Sequence, residues 1–301
     1  MKKILITGSN GLLGQKLVAL ISENKNYQLI ATSKSFNKIK NEGNYIFELM
    51  DITNYSEVNY ILQNYYPDVV INTAAITNVD QCEENKTECW QVNVEAVKNL
   101  VEVSNKIKSH FIHLSTDFVF DGVKGLYKEN DIPAPVSYYG YSKYEAEKIV
   151  QNCSDKWSII RTVLVYGITN DMSRSNIVLW VKNSLENGKK IRVVDDQYRT
   201  PTLAEDLAKA CFEVAKRNKE GIFHVSGTDY LSIIEIAYII AEYFNLDKSL
   251  ISPVASIELS QKGRRPCKTG FDIQKAIREL DFQPLSFKNG LSFIEEQLSD
   301  L

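Results

Sequence analysis

Long apolar runs are missing from this 301-residue chain: no stretch approaches the ~18 hydrophobic residues that a membrane span requires. A strong charge of either sign is missing too. Lys and Arg number 35 against 38 Asp and Glu, so the net charge is -3, which gives no basic field for nucleic acid. Cysteine is sparse. The five residues, Cys82, Cys89, Cys153, Cys211 and Cys267, are odd in number and lack any C-x-x-C spacing, which argues against a disulfide framework and for reduced, mostly buried thiols in a cytoplasmic protein. Histidine is sparser still. His110 and His113 share one segment and His224 lies far away, so no metal site is expected. Repeats and low-complexity tracts are absent. A cleavable leader is argued against by a strand that begins at Lys3 and whose glycine turn would be lost with it. What remains is 44% hydrophobic and 24% charged, an ordinary globular balance with the length of one large or two ordinary domains.

Lys3-Ile-Leu-Ile-Thr7 reads as a buried parallel strand. It runs into Gly8-Ser-Asn-Gly11-Leu-Leu-Gly14, and Leu12 to Ile21 then shows helical periodicity. Strand, glycine turn, helix is the context of a dinucleotide fingerprint, here spaced GxxGxxG. Gly8 permits the sharp turn, Gly11 lets backbone approach phosphate, and Gly14 lets helix approach strand. The helix N-terminus offers free N–H groups and partial positive charge to a pyrophosphate. Gly8, Asn10, Gly11, Leu12 and Leu13 are therefore candidate cofactor contacts.

Further strands are expected at 27–32, 45–49, 68–72, 110–114 and 157–162. Helices are expected at 55–65, about 86–108 and 137–152. This alternation predicts an α/β fold, a Rossmann-type doubly wound parallel sheet. Beyond residue 165 the rhythm loosens: helices at 174–187, 203–216 and 232–244, a strand at 190–194, a loop at 263–266 and two closing helices. We expect residues 1–165 to form the dinucleotide-binding domain. Residues 166–301 are expected to form a smaller α/β region over the sheet, with some segments returning to the first.

An NAD-specific site places Asp or Glu at the end of the second strand, about 20 residues past the glycines. Here the segment reads Ala31-Thr-Ser-Lys-Ser35, with no acid before Glu42. Thr32 and Ser33 can hydrogen-bond a 2′-phosphate and Lys34 can attract it. NADPH is the expected cofactor, with NADH tolerated.

Leu114-Ser-Thr-Asp117 follows the fifth strand, and ligands of open α/β sheets sit at such carboxyl ends. Ser115 and Thr116 point hydroxyls toward them. Tyr139-Gly-Tyr-Ser-Lys143 places Tyr139 and Lys143 four apart on one helix, so they share a face. A free tyrosine titrates near ~10. A neighbouring ammonium is expected to lower that value and make Tyr139 a usable acid near neutrality.

With these motifs the chain resembles an extended short-chain dehydrogenase/reductase, and within it the dTDP-4-dehydrorhamnose reductase family. The resemblance runs almost end to end: Thr7 to Gly14, Asp68 to Ala75 with Val79-Asp80, Val92-Asn93, Ser115 to Gly122, Tyr139 to Lys143, Arg161-Thr162 with Val165-Tyr166, Asp196-Gln197 with Pro201-Thr202, and Arg264-Arg-Pro266. It implies NAD(P)H-dependent reduction of a 4-keto group on a nucleotide-linked deoxysugar, in a cytoplasmic protein that binds neither nucleic acid nor membrane and that admits a homodimer. Thr116, Tyr139 and Lys143 are the implied catalytic set. Asp51, Ile52, Ala74, Ala75, Thr77 and Ser115 join the implied cofactor contacts, with Asn72 on the same path, while Asn93 reads as a structural bridge. On the substrate side stand Thr116, Asp117, Leu164, Arg199, Arg264 and Arg265. The two last-named guanidinium groups match a substrate diphosphate.

Leu164 and Arg199 depart from the family, which often has tryptophan and glycine in those stretches. Two rivals share the fold. One is a binding subunit without turnover, like the regulatory β subunit of methionine adenosyltransferase; the other is a sugar-nucleotide epimerase or dehydratase. The joint presence of Thr116, Tyr139 and Lys143 argues against the first. Phe118, where a dehydratase carries Glu, argues against the last.

Overall fold

The computed structural model describes residues 1–40, 43–169 and 175–299. Seven strands form one parallel sheet in the order Gly221–Val225, Trp157–Thr162, His110–Thr116, Val69–Asn72, Lys2–Thr7, Tyr27–Ser33, Tyr45–Leu49. The chain starts in the middle, winds one way, then returns to wind the other. The reversal falls between Lys2–Thr7 and Val69–Asn72, where a crevice opens at the carboxyl ends.

Alternation along each strand feeds two cores. Ile4 and Ile6 face the helices Leu12–Ser22 and Ala204–Arg217, with Leu17, Ile21 and Leu207. Leu5 faces the other way, toward Val58, Leu100 and Val150 of the helices Tyr55–Tyr65, Ala96–Lys106 and Tyr138–Cys153. A third core joins the helices Ile177–Glu186, Ile233–Tyr243 and Phe287–Ser299 over residues such as Tyr166 and Ile251. Small sheets stitch this region to the large one: Gly125–Tyr127 pairs with Lys268–Phe271, which pairs with Tyr198–Arg199 and so with Leu231–Ser232.

Three expectations change. The strand Gly221–Val225 was not foreseen, yet it closes the main sheet against Trp157–Thr162. The helix expected over 86–108 contains a π-turn at Gln91–Glu95 before Ala96–Lys106 resumes α geometry. The helix expected from Arg174 has its described start at Ile177, and Arg174 lies outside the described residues. Among the described residues, no helix is long and apolar enough to cross a membrane.

Candidate active site

A groove of about 690 Å³ lies along the carboxyl ends of the strands on both sides of the reversal. Its lining includes Gly8, Asn10, Gly11, Ser33, Lys34, Asp51, Ile52, Ala74, Ala75 and Thr77, ten of the expected cofactor contacts. Gly8 has φ +69, and a Cβ there would stand 2.9 Å from the Ala74 backbone, so the turn and the floor of the groove exclude a side chain. A Cβ on Gly14 would stand 2.7 Å from Ser9 Cα, which is how closely the helix meets its own turn. Gly11 caps that helix with no side-chain hydrogen bond, and its first turn holds no acid. The N–H groups of Leu12 and Leu13 are thus left for an anion. Among the described residues, Ser9 Oγ and Ser115 Oγ are buried and have no hydrogen-bond partner. This set fits a dinucleotide.

Asn10 has a part the sequence did not reveal. Its Nδ2 donates to Ser33 Oγ at 3.0 Å, Ser35 Oγ at 3.2 Å and Phe36 O at 2.8 Å, and its Oδ1 accepts from Lys38 N at 2.9 Å. It ties the glycine turn to the loop after the second strand. Lys34 stands exposed on that loop. Thr32, expected beside a 2′-phosphate, instead is fully buried and donates to Ile6 O at 3.0 Å. Asn72 likewise sits beneath the groove, its amide held by Thr7 at 2.6 Å and by His113 at 3.2 Å.

Thr116 and Tyr139 meet because two elements approach closely. Ser137 caps the helix Tyr138–Cys153, accepting from Gly140 N at 3.1 Å. Gly140 lies against Phe118 O and Pro135, where a side chain would clash. That contact seats the helix on the Asp117–Val119 turn and brings the Tyr139 phenol next to the Thr116 hydroxyl. The glycine inside Tyr139-Gly-Tyr-Ser-Lys143 was visible in the sequence but not read as a packing residue.

The expected lowering of Tyr139 by Lys143 is not what dominates. Burial pushes the phenol well above its ordinary range, the Thr116 hydrogen bond opposes this, and Asp117 adds to it. Tyr139 is therefore a protonated donor at neutral pH. Lys143 is buried in turn, and burial brings its ammonium down to about 8 against the opposing pull of Glu147, Cys89 and Cys82. Behind the pair, Asn93 of the π-turn donates to Ile76 O at 3.0 Å and Ser142 Oγ at 3.1 Å and accepts from Ile76 N at 2.9 Å, a bridge in geometry.

The substrate-side residues divide. Arg199 is buried and its donors are already used: by Tyr198 O at 2.7 Å, Cys267 O at 3.2 Å, Pro266 O at 2.8 Å, Gln197 Oε1 at 3.4 Å and Asp117 Oδ2 at 3.5 Å. It is a strut, not an open cation. Asp117 also accepts from Thr116 at 3.0 Å and from Thr269, and burial lifts its carboxyl above the ordinary value while Arg199 opposes. Arg265 donates two hydrogen bonds to Asp80, 2.8 Å on each oxygen, and so pins the 263–266 loop to the helix Val79–Glu84; Asp80 drops to about 2, chiefly through that guanidinium. Arg264 is exposed on the same loop. Leu164 is half-buried, packs against two cores and takes φ +38, a left-handed backbone rare for leucine.

Comparisons with known proteins find relatives over the whole chain. The profile of a family described as RmlD substrate binding domain matches residues 1–299. The dTDP-4-dehydrorhamnose reductase of Aggregatibacter actinomycetemcomitans is 31% identical, covering 98% of each chain. The solved dTDP-4-dehydrorhamnose reductase of Bacillus anthracis, in complex with NADP, is 29% identical with a TM-score of 0.84 over 99% of this chain and 100% of that one. The methionine adenosyltransferase 2 subunit beta of Bos taurus is 29% identical over 84% of this chain and 75% of its own.

Proposed function

The chain belongs to the RmlD substrate binding domain family, and from that membership we propose that it is an NADPH-dependent oxidoreductase that reduces the 4-keto group of a nucleotide-linked deoxysugar, with dTDP-4-dehydrorhamnose as the favoured substrate. The observation that carries the reading is the buried meeting of Thr116 with a protonated Tyr139, close to Lys143, beside a groove whose helix N-terminus lacks cap and acid.

Gly8, Gly11 and the first-turn N–H groups would hold the pyrophosphate. Ser33 and Lys34 would face the 2′-phosphate, and Ala74, Ala75, Thr77 and Ser115 would line the path to the nicotinamide. When bound, the reduced cofactor supplies the hydride. Thr116 and Tyr139 orient the keto oxygen and stabilise the charge that develops on it. Tyr139 gives that oxygen its proton. Lys143 holds positive charge beneath the site, which favours the phenolate left behind. Arg264 reaches for the substrate diphosphate, while Arg265 and Arg199 hold the loops that shape the pocket.

The reading carries with it a cytoplasmic setting, where NADPH and thiols stay reduced, and a homodimer, which light scattering checks. The test of the activity is a panel of 4-keto sugar nucleotides with NADPH, followed by cofactor absorbance and product mass. Oxidation of NADPH with dTDP-4-dehydrorhamnose is expected. Tight NADPH binding with no turnover on any member would instead support the non-catalytic role of the adenosyltransferase subunit.

A further inference from the structure

Lys143 lies under the site with no carboxylate of its own. Glu147, one turn along the same helix, is spent on Arg161, which grips both its oxygens at 2.9 and 2.7 Å. The Lys143 Nζ lies instead 3.0 Å from His113 Nε2, in the middle of the strand His110–Thr116. On the far side of that ring, His113 Nδ1 is 3.2 Å from the Asn72 amide, and Asn72 is 2.6 Å from Thr7 Oγ1. All four side chains are at most 2% exposed. The row crosses three neighbouring strands of the sheet, from the catalytic helix to the strand that ends in the glycine turn.

We propose that His113 is a positioning residue for Lys143: its Nε2 accepts a hydrogen bond from the ammonium, and Asn72, backed by Thr7, holds the imidazole in the tautomer that allows it. An ammonium can only donate, so Nε2 must carry the lone pair and Nδ1 the proton. In the structure the Asn72 Nδ2 faces Nδ1 and its Oδ1 accepts from Thr7 Oγ1; the proposed tautomer turns this amide over, so that its oxygen takes Nδ1–H and its nitrogen faces Thr7 Oγ1, an exchange of two interchangeable atoms. Burial keeps the ring neutral: His113 sits well below its ordinary value, and the nearby Lys143 charge lowers it further. The other titratable groups around Lys143 are Glu147 on its own helix, Tyr139 one turn earlier, and the thiols of Cys82 and Cys89 from the segments packed across from it. None of these accepts a hydrogen bond from Nζ among the described residues. His113 is thus what keeps a charged amine tolerable in a dry site, and the proton inventory of the reaction depends on it.

The proposal rests on the reductase reading for its consequence but not for its test. The primary measurement is the titration of Lys143 in the unliganded protein, by NMR of lysine labelled at Cε and assigned with Lys143→Arg. His113→Leu removes the acceptor and is expected to lower the Lys143 midpoint by about one pH unit or more. His113→Gln, whose Oε1 falls near the place of Nε2, is expected to restore most of it. Long-range 1H–15N spectra of the wild type should show His113 neutral with the proton on Nδ1, and they keep the proposal testable if His113→Leu does not fold.

With an active enzyme, the basic limb of kcat/KM moves in the same direction, because loss of the Lys143 proton removes the charge that supports Tyr139. A limb and a midpoint unmoved by His113→Leu, with only a uniform drop in kcat, would reduce His113 to packing and overturn the proposal, as would a proton on Nε2. A wild type that turns over no 4-keto sugar would count against the reductase reading alone, since the titration and the tautomer are read without substrate.

Discussion

The two sides of the candidate site treat charge in opposite ways. On the cofactor side the binding groups are backbone and hydroxyl, and they are left free: an uncapped helix N-terminus, unpartnered Ser9 and Ser115, an exposed Lys34. On the substrate side the guanidinium groups are mostly consumed within the protein, Arg199 by Asp117 and four oxygens, Arg265 by Asp80. Buried hydrogen-bonded arginine is a framework member before it is a ligand contact. An arginine read from sequence as a phosphate clamp must therefore be asked what carboxylate lies next to it in space.

That contrast is broken most forcefully at Arg199. Arg199→Ala strands the buried Asp117 carboxylate, at a cost on the order of 3–5 kcal/mol, read as a shift of the denaturation midpoint. Asp117→Asn in the same background should recover part of the loss, since the charge left behind is then gone. Stability close to wild type in the single variant would mean that the strut carries nothing. Next comes Tyr139→Phe, expected to lose on the order of 10²-fold or more in kcat with cofactor affinity nearly unchanged. Retention of most of the turnover would sink the proton-donor assignment. Arg264→Ala sharpens the comparison from the other side. As the exposed arginine it should raise KM for the sugar nucleotide about tenfold while leaving stability alone. A destabilised Arg264→Ala protein with unchanged KM would assign Arg264, like its neighbour, to the framework.

The same division explains what was legible. The nucleotide side is written locally: strand, glycine turn and helix are contiguous from Lys3 to Ile21, and each glycine has one steric reason. Tyr139 and Lys143 are four residues apart, so the helix alone brings them to one face. The substrate side is assembled from distant pieces. Tyr198–Arg199, Leu231–Ser232 and Gly125–Tyr127 are two or three residues long, too short for any period to show. The pairing of Tyr198–Arg199 and Gly125–Tyr127 with Lys268–Phe271 is what puts Arg199 beside Asp117, 82 positions away in the chain. Gly221–Val225 was missed for a related reason. As an edge strand of the main sheet with a buried histidine, His224, it lacks the unbroken apolar run of Lys3–Thr7. His113, buried under Lys143, gave no signal either, because a histidine within an apolar strand reads as a filled core position.

The smallest expected effect lies on the open side, at Lys34. With Thr32 turned inward toward Ile6, a 2′-phosphate is left to Ser33 and Lys34. Ser33 already accepts from Asn10, so its hydroxyl proton is free to point outward to an anion. Lys34 is exposed, and its attraction is screened by water and salt. Lys34→Ala should therefore lower the kcat/KM preference for NADPH over NADH only about two- to fivefold, the scale of an exposed ion pair. The loss should shrink further at high salt. Ser33→Ala should cost more than Lys34→Ala, because it also removes an anchor of the loop that Asn10 holds. A preference for NADH in the wild type, or a ratio indifferent to both substitutions, would show that this loop does not read the 2′-phosphate at all.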